Sequence, residues 1–518
     1  MLNVDNNLER YNLTQIRVFT AIASLIFSMY AVYFDDIINK DGVMYLKTAE
    51  LFLSGNMDAA LVSYNWPFYS IITAFFHKIT SIPLELSALI LNSVFFVILT
   101  DALILISSLI FFVPRQLKIS ALLILCFMPI LDYRDYIIRD PGYWAFACLA
   151  LYHFMVFINS SRTIHAMLWQ IFMIFAILFR VEGIFLLITV PLFLLLSKNL
   201  RGKMVIRKLI SCFFIPIILL ATIPFFENLS MEKLSKIDSV FNYTNLNLIF
   251  EKLIFSADIL EHQILNKYSG KYAIFILFFG FLSLLIYKIF EGFSISYIVI
   301  FLASFKNSSQ LSHNLYRDLL AYFLILNSLI MFVFILKEHF ISSRYIVLTS
   351  ISIFLLLSFY MVTGIERLYL NKNKLLLAII ALCLSYNLLD AATMSRNKSY
   401  IKDISILSAQ KVPEKSIVMV NDRAAFYYLT NEAAHLTVCF INIRKIDKKE
   451  LRLKKDSCNI WKQSQKYIKN YLYFDYILLV QKNNNYEDLR NLSGVNLEKI
   501  IQTKSLKEDK AILYKVVK

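Results

Sequence analysis

Apolar runs recur through the first three quarters of the chain, near 15–34, 84–112, 117–131, 141–159, 164–179, 183–197, 209–226, 271–289, 292–305, 319–336, 343–363 and 373–389. A straight crossing of a bilayer takes about 20 residues, so each run reads as a membrane helix, the shorter ones extending into their polar flanks. The long run 84–112 predicts a tilted or protruding helix. Between the first two runs, 35–83 is too polar to span. DGVMYLKTAELFLSG puts Val43, Leu46, Ala49, Leu51 and Leu53 on one face, and WPFYSIITAFFHKI carries Pro67 in its first turn. Both predict helices lying in the membrane interface.

The pattern changes near residue 395. SIVMV (416–420), LTVCFINI (436–443), YILLV (476–480) and AILYKVV near the end are short apolar or β-branched runs, alternating with helical stretches at 398–410, 423–430 and 460–473. Such alternation predicts a small α/β sheet domain. The expected organisation is a polytopic α-helical membrane domain over 1–392, with interfacial helices in 35–83, and a C-terminal α/β extramembrane domain over 395–518. No glycine-rich phosphate loop follows any of the strands.

Basic loops set the orientation. Arg10 precedes the first run and Arg17 stands at its start, and PRQLK (114–118), SSRTIH (160–165) and SKNLRGKMVIRK (197–208) fall on the same side when the runs are taken in order. That side is expected to be cytoplasmic, so 35–83, DYRDYIIRDPGY (132–143), FRVEG (179–183) and 227–270 face outward. Twelve runs would return the tail to the cytoplasm, whereas ERLYLNKNK (366–374) suits a cytoplasmic loop before a last outward span. One crossing between 271 and 363 is therefore miscounted. About 11–13 spans are expected, with an odd number and the tail outside.

Composition agrees with the hydropathy pattern. Hydrophobic residues make up 58% of the chain, charged residues 17%, and mean hydropathy is +0.60, more apolar surface than a soluble domain can hide. Glycine is scarce at 10 of 518 residues, against 44 Phe and 30 Tyr. Helices that slide past one another lean on small residues and breaks, so this bulky composition favours an enzyme over a carrier. The net charge of +16 is concentrated in the tail, where 395–518 holds 24 Lys and Arg against 13 Asp and Glu. Attraction to anionic membrane lipids explains it, and no nucleic-acid recognition motif accompanies it. Of six cysteines, Cys126, Cys148, Cys212 and Cys383 fall in apolar runs; Cys439 and Cys458 lie in the tail and can pair in an oxidising compartment. No zinc-ligand spacing occurs, which leaves a divalent metal open and no cofactor assigned.

Ionisable residues at membrane depth are costly, so those at span ends on one side mark a site. The outer side collects Asp35, Asp36 and Asp41; Asp132, Arg134, Asp135, Arg139 and Asp140; and Arg180 with Glu182. His313, Arg317 and Arg344 join them if the topology allows. Acids provide a proton acceptor, and arginines bind phosphate with paired, permanently charged donors. Each has a plainer reading: Asp35-Asp36 as a cap for the next helix, Asp140 as the cap of a helix with Pro141 in its first turn, Arg180 and Glu182 as the closure of a tight turn, Arg344 as an interface anchor.

The acids after the first span, NWPFYS (65–70), RDPGYW (139–144), FRVEG (179–183), the Arg344-Tyr345 pair opening a late span, and YYLT (427–430) with DYILLV (475–480) in the tail together resemble the GT-C class of membrane glycosyltransferases, which includes protein O-mannosyltransferases and bacterial lipid A aminoarabinose transferases. The resemblance implies an inner-membrane enzyme working on the periplasmic face, taking a sugar from a polyprenyl-phosphate donor with inversion and giving it to a glycan, lipid or protein acceptor. Asp35 or Asp36 is then the base, and Arg134, Arg139, Arg180 and Arg344 are the donor-phosphate ligands. Asp140, Glu182, His313 and Arg317 take supporting roles. A transporter or flippase of lipid-linked saccharides, or a polymerase or ligase of them, is the alternative; a carrier would show mid-span charges and paired broken helices.

Overall fold

The structure, a computed structural model, describes residues 2–34, 37–196, 203–222, 245–306, 308, 315–393, 398–440, 474–481, 496–504 and 509–517. It divides into two compact units, Met1–Val32 with Leu46–Ala391, and Tyr33–Tyr45 with Ala392–Lys518.

The first unit is helical. Among the described residues seven helices are long and apolar enough to cross a membrane: Leu13–Phe34, Leu84–Ile110, Asp140–Ser160, Gly270–Phe293, Leu315–Glu338, Ser343–Leu370 and Lys374–Ala391. Shorter apolar helices accompany them at Thr163–Phe179, Gly183–Leu196 and Ile295–Phe305. Run 84–112 forms one continuous helix, Leu84–Ile110, whereas 117–131 breaks into Pro114–Leu125 and Met128–Leu131. The break exposes carbonyls that other helices satisfy: Tyr297 Oη donates to Leu123 O, and Asn387 Nδ2 to Cys126 O at 3.2 Å. Pro216 inside Lys203–Thr222 is treated the same way. Gln170 from Thr163–Phe179 accepts from Ile215 N at 2.7 Å and donates to Ser211 O at 2.8 Å. At both irregularities, side chains from neighbouring helices thus bond to the backbone.

Runs 271–289 and 292–305 form the helices Ala273–Phe293 and Ile295–Phe305, joined at Ser294, whose φ is 68°. Both follow Ser343–Leu370 in the same direction. Lys288 Nζ reaches Ser343 Oγ at 3.3 Å, and a Cβ on Gly292 would lie 3.0 Å from Ser350 Oγ. Farther along, the Tyr297 and Phe354 rings are 5.9 Å apart, and a Cβ on Gly364 would lie 2.2 Å from Ser304 O. The two runs therefore follow one direction along that helix.

Within 35–83 the helices are Lys40–Leu53, Met57–Ser63 and Phe68–Thr80. Val43, Leu46 and Ala49 are buried as the pattern predicts; Leu53 is exposed, and Tyr45 is buried in addition.

The second unit holds a five-stranded sheet in the order β2-β1-β3-β5-β4, where β1 is Ile417–Val420, β2 Thr437–Phe440, β3 Tyr476–Gln481, β4 Asn496–Lys504 and β5 Lys510–Val517. β1 pairs in parallel with β2 and β3; β5 runs antiparallel to β3 and β4. Val418, Val420, Leu478 and Val480 face one core with helices Ser399–Lys411 and Arg423–Glu432, while Met419, Ile477 and Leu479 face the other, the period-two alternation of strands. Strand β4 carries no clear apolar signal and went unread in the sequence. The expected helix 460–473 and the end of the run 436–443 lie outside the described residues.

Candidate active site

The first unit gathers charge at the end of the bundle where Asp140–Ser160 begins. Pro141 in the first turn suits a helix start, having no N–H to leave unpaired. Asp140 does not cap the helix; its Oδ1 instead accepts from Arg180 Nη1 at 2.5 Å. Gly142 makes this approach feasible, because a Cβ there would stand 2.5 Å from the Phe179 ring. Phe179 is the last residue of Thr163–Phe179, and Arg180 leaves it extended, with φ −141°. RDPGYW and FRVEG are therefore two halves of one joint.

Arg180 serves a second carboxylate as well. Its Nη2 donates to Glu182 Oε1 at 2.8 Å and its Nε to Glu182 Oε2 at 3.4 Å, completing a fork on that carboxylate. The guanidinium carbon lies 4.4 Å from the Tyr345 ring centre and 5.7 Å from that of Tyr143. The side chain of Arg180 is 4% exposed and that of Glu182 16%. Burial alone would raise the Glu182 carboxyl, but Arg180 and, more weakly, Arg139 outweigh it and hold it down at about 2. Burial likewise opposes the Arg180 charge, and Glu182 and Asp140 reverse that and push it well up.

Arg139 is buried beside this clamp with its guanidinium 5.4 Å from the Tyr64 ring. Arg344 approaches from Ser343–Leu370, stacked 5.0 Å over Tyr345 and donating to its hydroxyl at 3.2 Å. The NWPFYS segment closes the group: Trp66 Nε1 donates to Ile177 O at 3.2 Å, and Phe68 packs edge-on against Phe179 at 5.1 Å. Nearby in the chain, Asp132 is pushed up to about 7, first by burial and then by the charges of Asp390 and Asp135. Among the described residues no three His, Cys, Asp or Glu side chains are grouped to hold a metal ion.

The sequence-derived set thus divides. Arg139, Asp140, Arg180, Glu182 and Arg344 come together. Arg134 does not join them: it is 2% exposed, and its Nη1 donates to Ser24 O at 2.8 Å, Ser24 Oγ at 3.2 Å and Ser28 Oγ at 2.7 Å. Its guanidinium also sits 4.9 Å over Phe96. A side chain so enclosed ties the 132–139 loop to the first helix. Arg317 also lies apart from this group. Its neighbour Tyr316 is hydrogen-bonded to Asn159, nineteen positions along the helix from Asp140, or roughly 28 Å at 1.5 Å per residue. Arg317 pairs loosely with Asp318 at 3.7 Å, at the end of the bundle that also holds Lys208 and its bond to Ile158 O. Asp35, Asp36 and His313 lie outside the described residues.

Sequence reasoning overlooked the aromatic partners Tyr64, Tyr143 and Tyr345 as faces for the arginines. It also overlooked Asp390, an acid in the otherwise apolar helix Lys374–Thr393. The latter had a signal, a charge in a span. Tyr143 and Tyr345 stood in the quoted RDPGYW and Arg344-Tyr345 stretches without their role being readable, and nothing marked Tyr64 among 30 tyrosines.

No family model matches the chain, and no curated protein does. Among solved structures, the oligosaccharyltransferase of Archaeoglobus fulgidus in complex with Zn and sulfate is similar at 11% identity and a TM-score of 0.44, over 81% of this chain and 62% of that one. The A. fulgidus oligosaccharyltransferase in complex with an inhibitory peptide and a dolichol-phosphate is similar at 12% identity and a TM-score of 0.42, over 82% and 64%. The same enzyme tethered to an acceptor peptide gives 13%, 0.42, 82% and 63%. This chain spans less than two thirds of the length of each.

Proposed function

We propose that the chain is an integral-membrane glycosyltransferase that moves a sugar from a polyprenyl-phosphate donor to an acceptor on the extracytoplasmic face. The observation that carries this reading is the Asp140–Arg180–Glu182 clamp with Arg139 and Arg344 beside it at one end of an apolar helical bundle. A prenyl chain lies among lipid-facing helices and brings its phosphate to a helix end, so phosphate ligands belong at that depth.

In the reaction the acceptor hydroxyl or amine attacks the anomeric carbon, the carbon–oxygen bond to phosphate breaks, and the electron pair leaves with the polyprenyl phosphate. Arg139 and Arg344 take up the growing phosphate charge in this reading. Arg180, whose donors serve two carboxylates, holds the turn that aligns them. The acceptor's proton goes to Asp35 or Asp36. The disulfide-bonded state of Cys439 supports an oxidising, extracytoplasmic location for the C-terminal domain.

The test is transfer from polyprenyl-phosphate sugars by reconstituted protein. Asp35→Asn or Asp36→Asn is expected to cost about a hundredfold or more in rate, the scale of a lost general base. Full activity in both single variants and in the double variant would retire the base assignment.

A further inference from the structure

The second unit includes a piece of chain far from it in sequence. Tyr33–Tyr45 groups with Ala392–Lys518. Ile37 packs against the core formed by Tyr400, Ile404, Leu429 and Leu478. Ile38 is 4% exposed, and its N–H donates to the Tyr428 hydroxyl at 2.9 Å, across 390 residues of sequence. A buried amide outside helix or strand must find an acceptor, and orphaning one costs about 1–3 kcal/mol.

Tyr428 is itself held in place. It is buried in the helix Arg423–Glu432, with the Lys402 ammonium 5.2 Å over its ring and the Tyr427 ring 5.4 Å away. Asp422 fixes the start of that helix by accepting from Ala424 N at 2.9 Å and Ala425 N at 3.4 Å. Just past Ile38 the chain begins the helix Lys40–Leu53, with Asp41 in its first turn.

We propose that Tyr428 is a positioning residue: by accepting the Ile38 amide it holds Ile37 and Ile38, next in sequence to the proposed base, on the C-terminal domain and so supports transfer. The catalytic consequence rests on the glycosyltransferase reading above; the docking of Ile37 and Ile38 stands apart from it. On this account the fold of the C-terminal domain is incomplete without residues supplied from the N-terminal side of the chain.

The test uses the full-length protein in detergent. Tyr428→Phe keeps the ring and removes the acceptor, and Ile38→Pro removes the donor. Three quantities are read: hydrogen exchange at the Ile38 amide, affinity for farnesyl phosphate as a donor probe, and turnover of farnesyl-phosphate hexoses. Tyr428→Phe is expected to speed exchange at Ile38 by about tenfold or more and to lower turnover by about as much, the scale of one lost buried hydrogen bond. Farnesyl phosphate affinity should stay within about twofold, and the double variant should be no worse than the worse single one. Unchanged exchange in Tyr428→Phe overturns the docking. Faster exchange with unchanged turnover overturns the positioning role. Joint loss of turnover and farnesyl phosphate binding overturns it too, since that is general destabilisation. If the unaltered protein turns over no farnesyl-phosphate hexose, the proposed function fails and takes the positioning role with it, while the exchange result still decides the docking.

Discussion

Arg134 and Arg180 are both buried arginines at the same end of one bundle, yet they are held by opposite kinds of partner. Arg134 donates to a carbonyl and two hydroxyls and lies over aromatic faces; among the described residues no carboxylate meets it, and burial lowers its pKa to about 9. Arg180 is gripped by two carboxylates, and they raise its pKa well above the usual value. The difference separates a tie from a charge network. Neutral acceptors hold a helix in place and leave the charge a burden; carboxylates fix the charge itself and organise whatever approaches it.

The strongest way to break the comparison is to truncate both arginines. Arg180→Ala strands Asp140 and Glu182 as buried, unpaired charges and should destabilise the protein by about 3–5 kcal/mol, with transfer lost. Thermal unfolding in detergent reads this, and a shift no larger than that of Arg134→Leu would erase the distinction. Arg134→Leu removes the burdened charge together with its bonds, so it should cost about 1–3 kcal/mol at most and leave donor affinity unchanged. Arg344→Ala sharpens the contrast from the other side. Losing a cation beside the clamp should weaken farnesyl phosphate binding about tenfold, roughly 1.4 kcal/mol, with little change in melting temperature.

A pH dependence is expected as well. Asp132 rises to about 7 in the fold, against an unfolded value near 4, so the folded state binds the extra proton. Its contribution is fully present below pH of about 4 and is lost as pH climbs through about 7. Asp132→Asn should flatten that decline and leave the variant relatively more stable at pH of about 8; a parallel slope in both proteins would contradict the raised carboxyl. Glu182 works in the opposite sense. Its depressed carboxyl adds stability above about 4 that disappears as pH falls through about 2, so only strong acid should loosen the clamp.

Much of the site was legible as a list and little of it as geometry. Arg139, Asp140, Arg180, Glu182 and Arg344 were each marked by being charged where an apolar run ends. Which of them share a carboxylate was not readable, since Arg180 and Asp140 stand 40 residues apart. Gly142 looked like part of a helix start, and only the Phe179 ring beside it gives the reason for glycine. Arg134 carried the same signal as Arg139 and turned out to be enclosed by the first helix. The line between a ligand and a tie is drawn by neighbours, and a single sequence does not name them.

What the sequence determined by itself is the placement of apolar helices and of the β-rich tail, because hydropathy and periodicity belong to consecutive residues and survive any arrangement of the elements. Tertiary structure decided the rest. It set the shared direction of Ala273–Phe293 and Ile295–Phe305, the partners of each arginine, and the docking of Ile37 and Ile38 against the Tyr428 helix. The physical reason is that the energy of a buried charge or amide depends on which atom stands about 3 Å away, and chain connectivity leaves that atom open until the helices have packed.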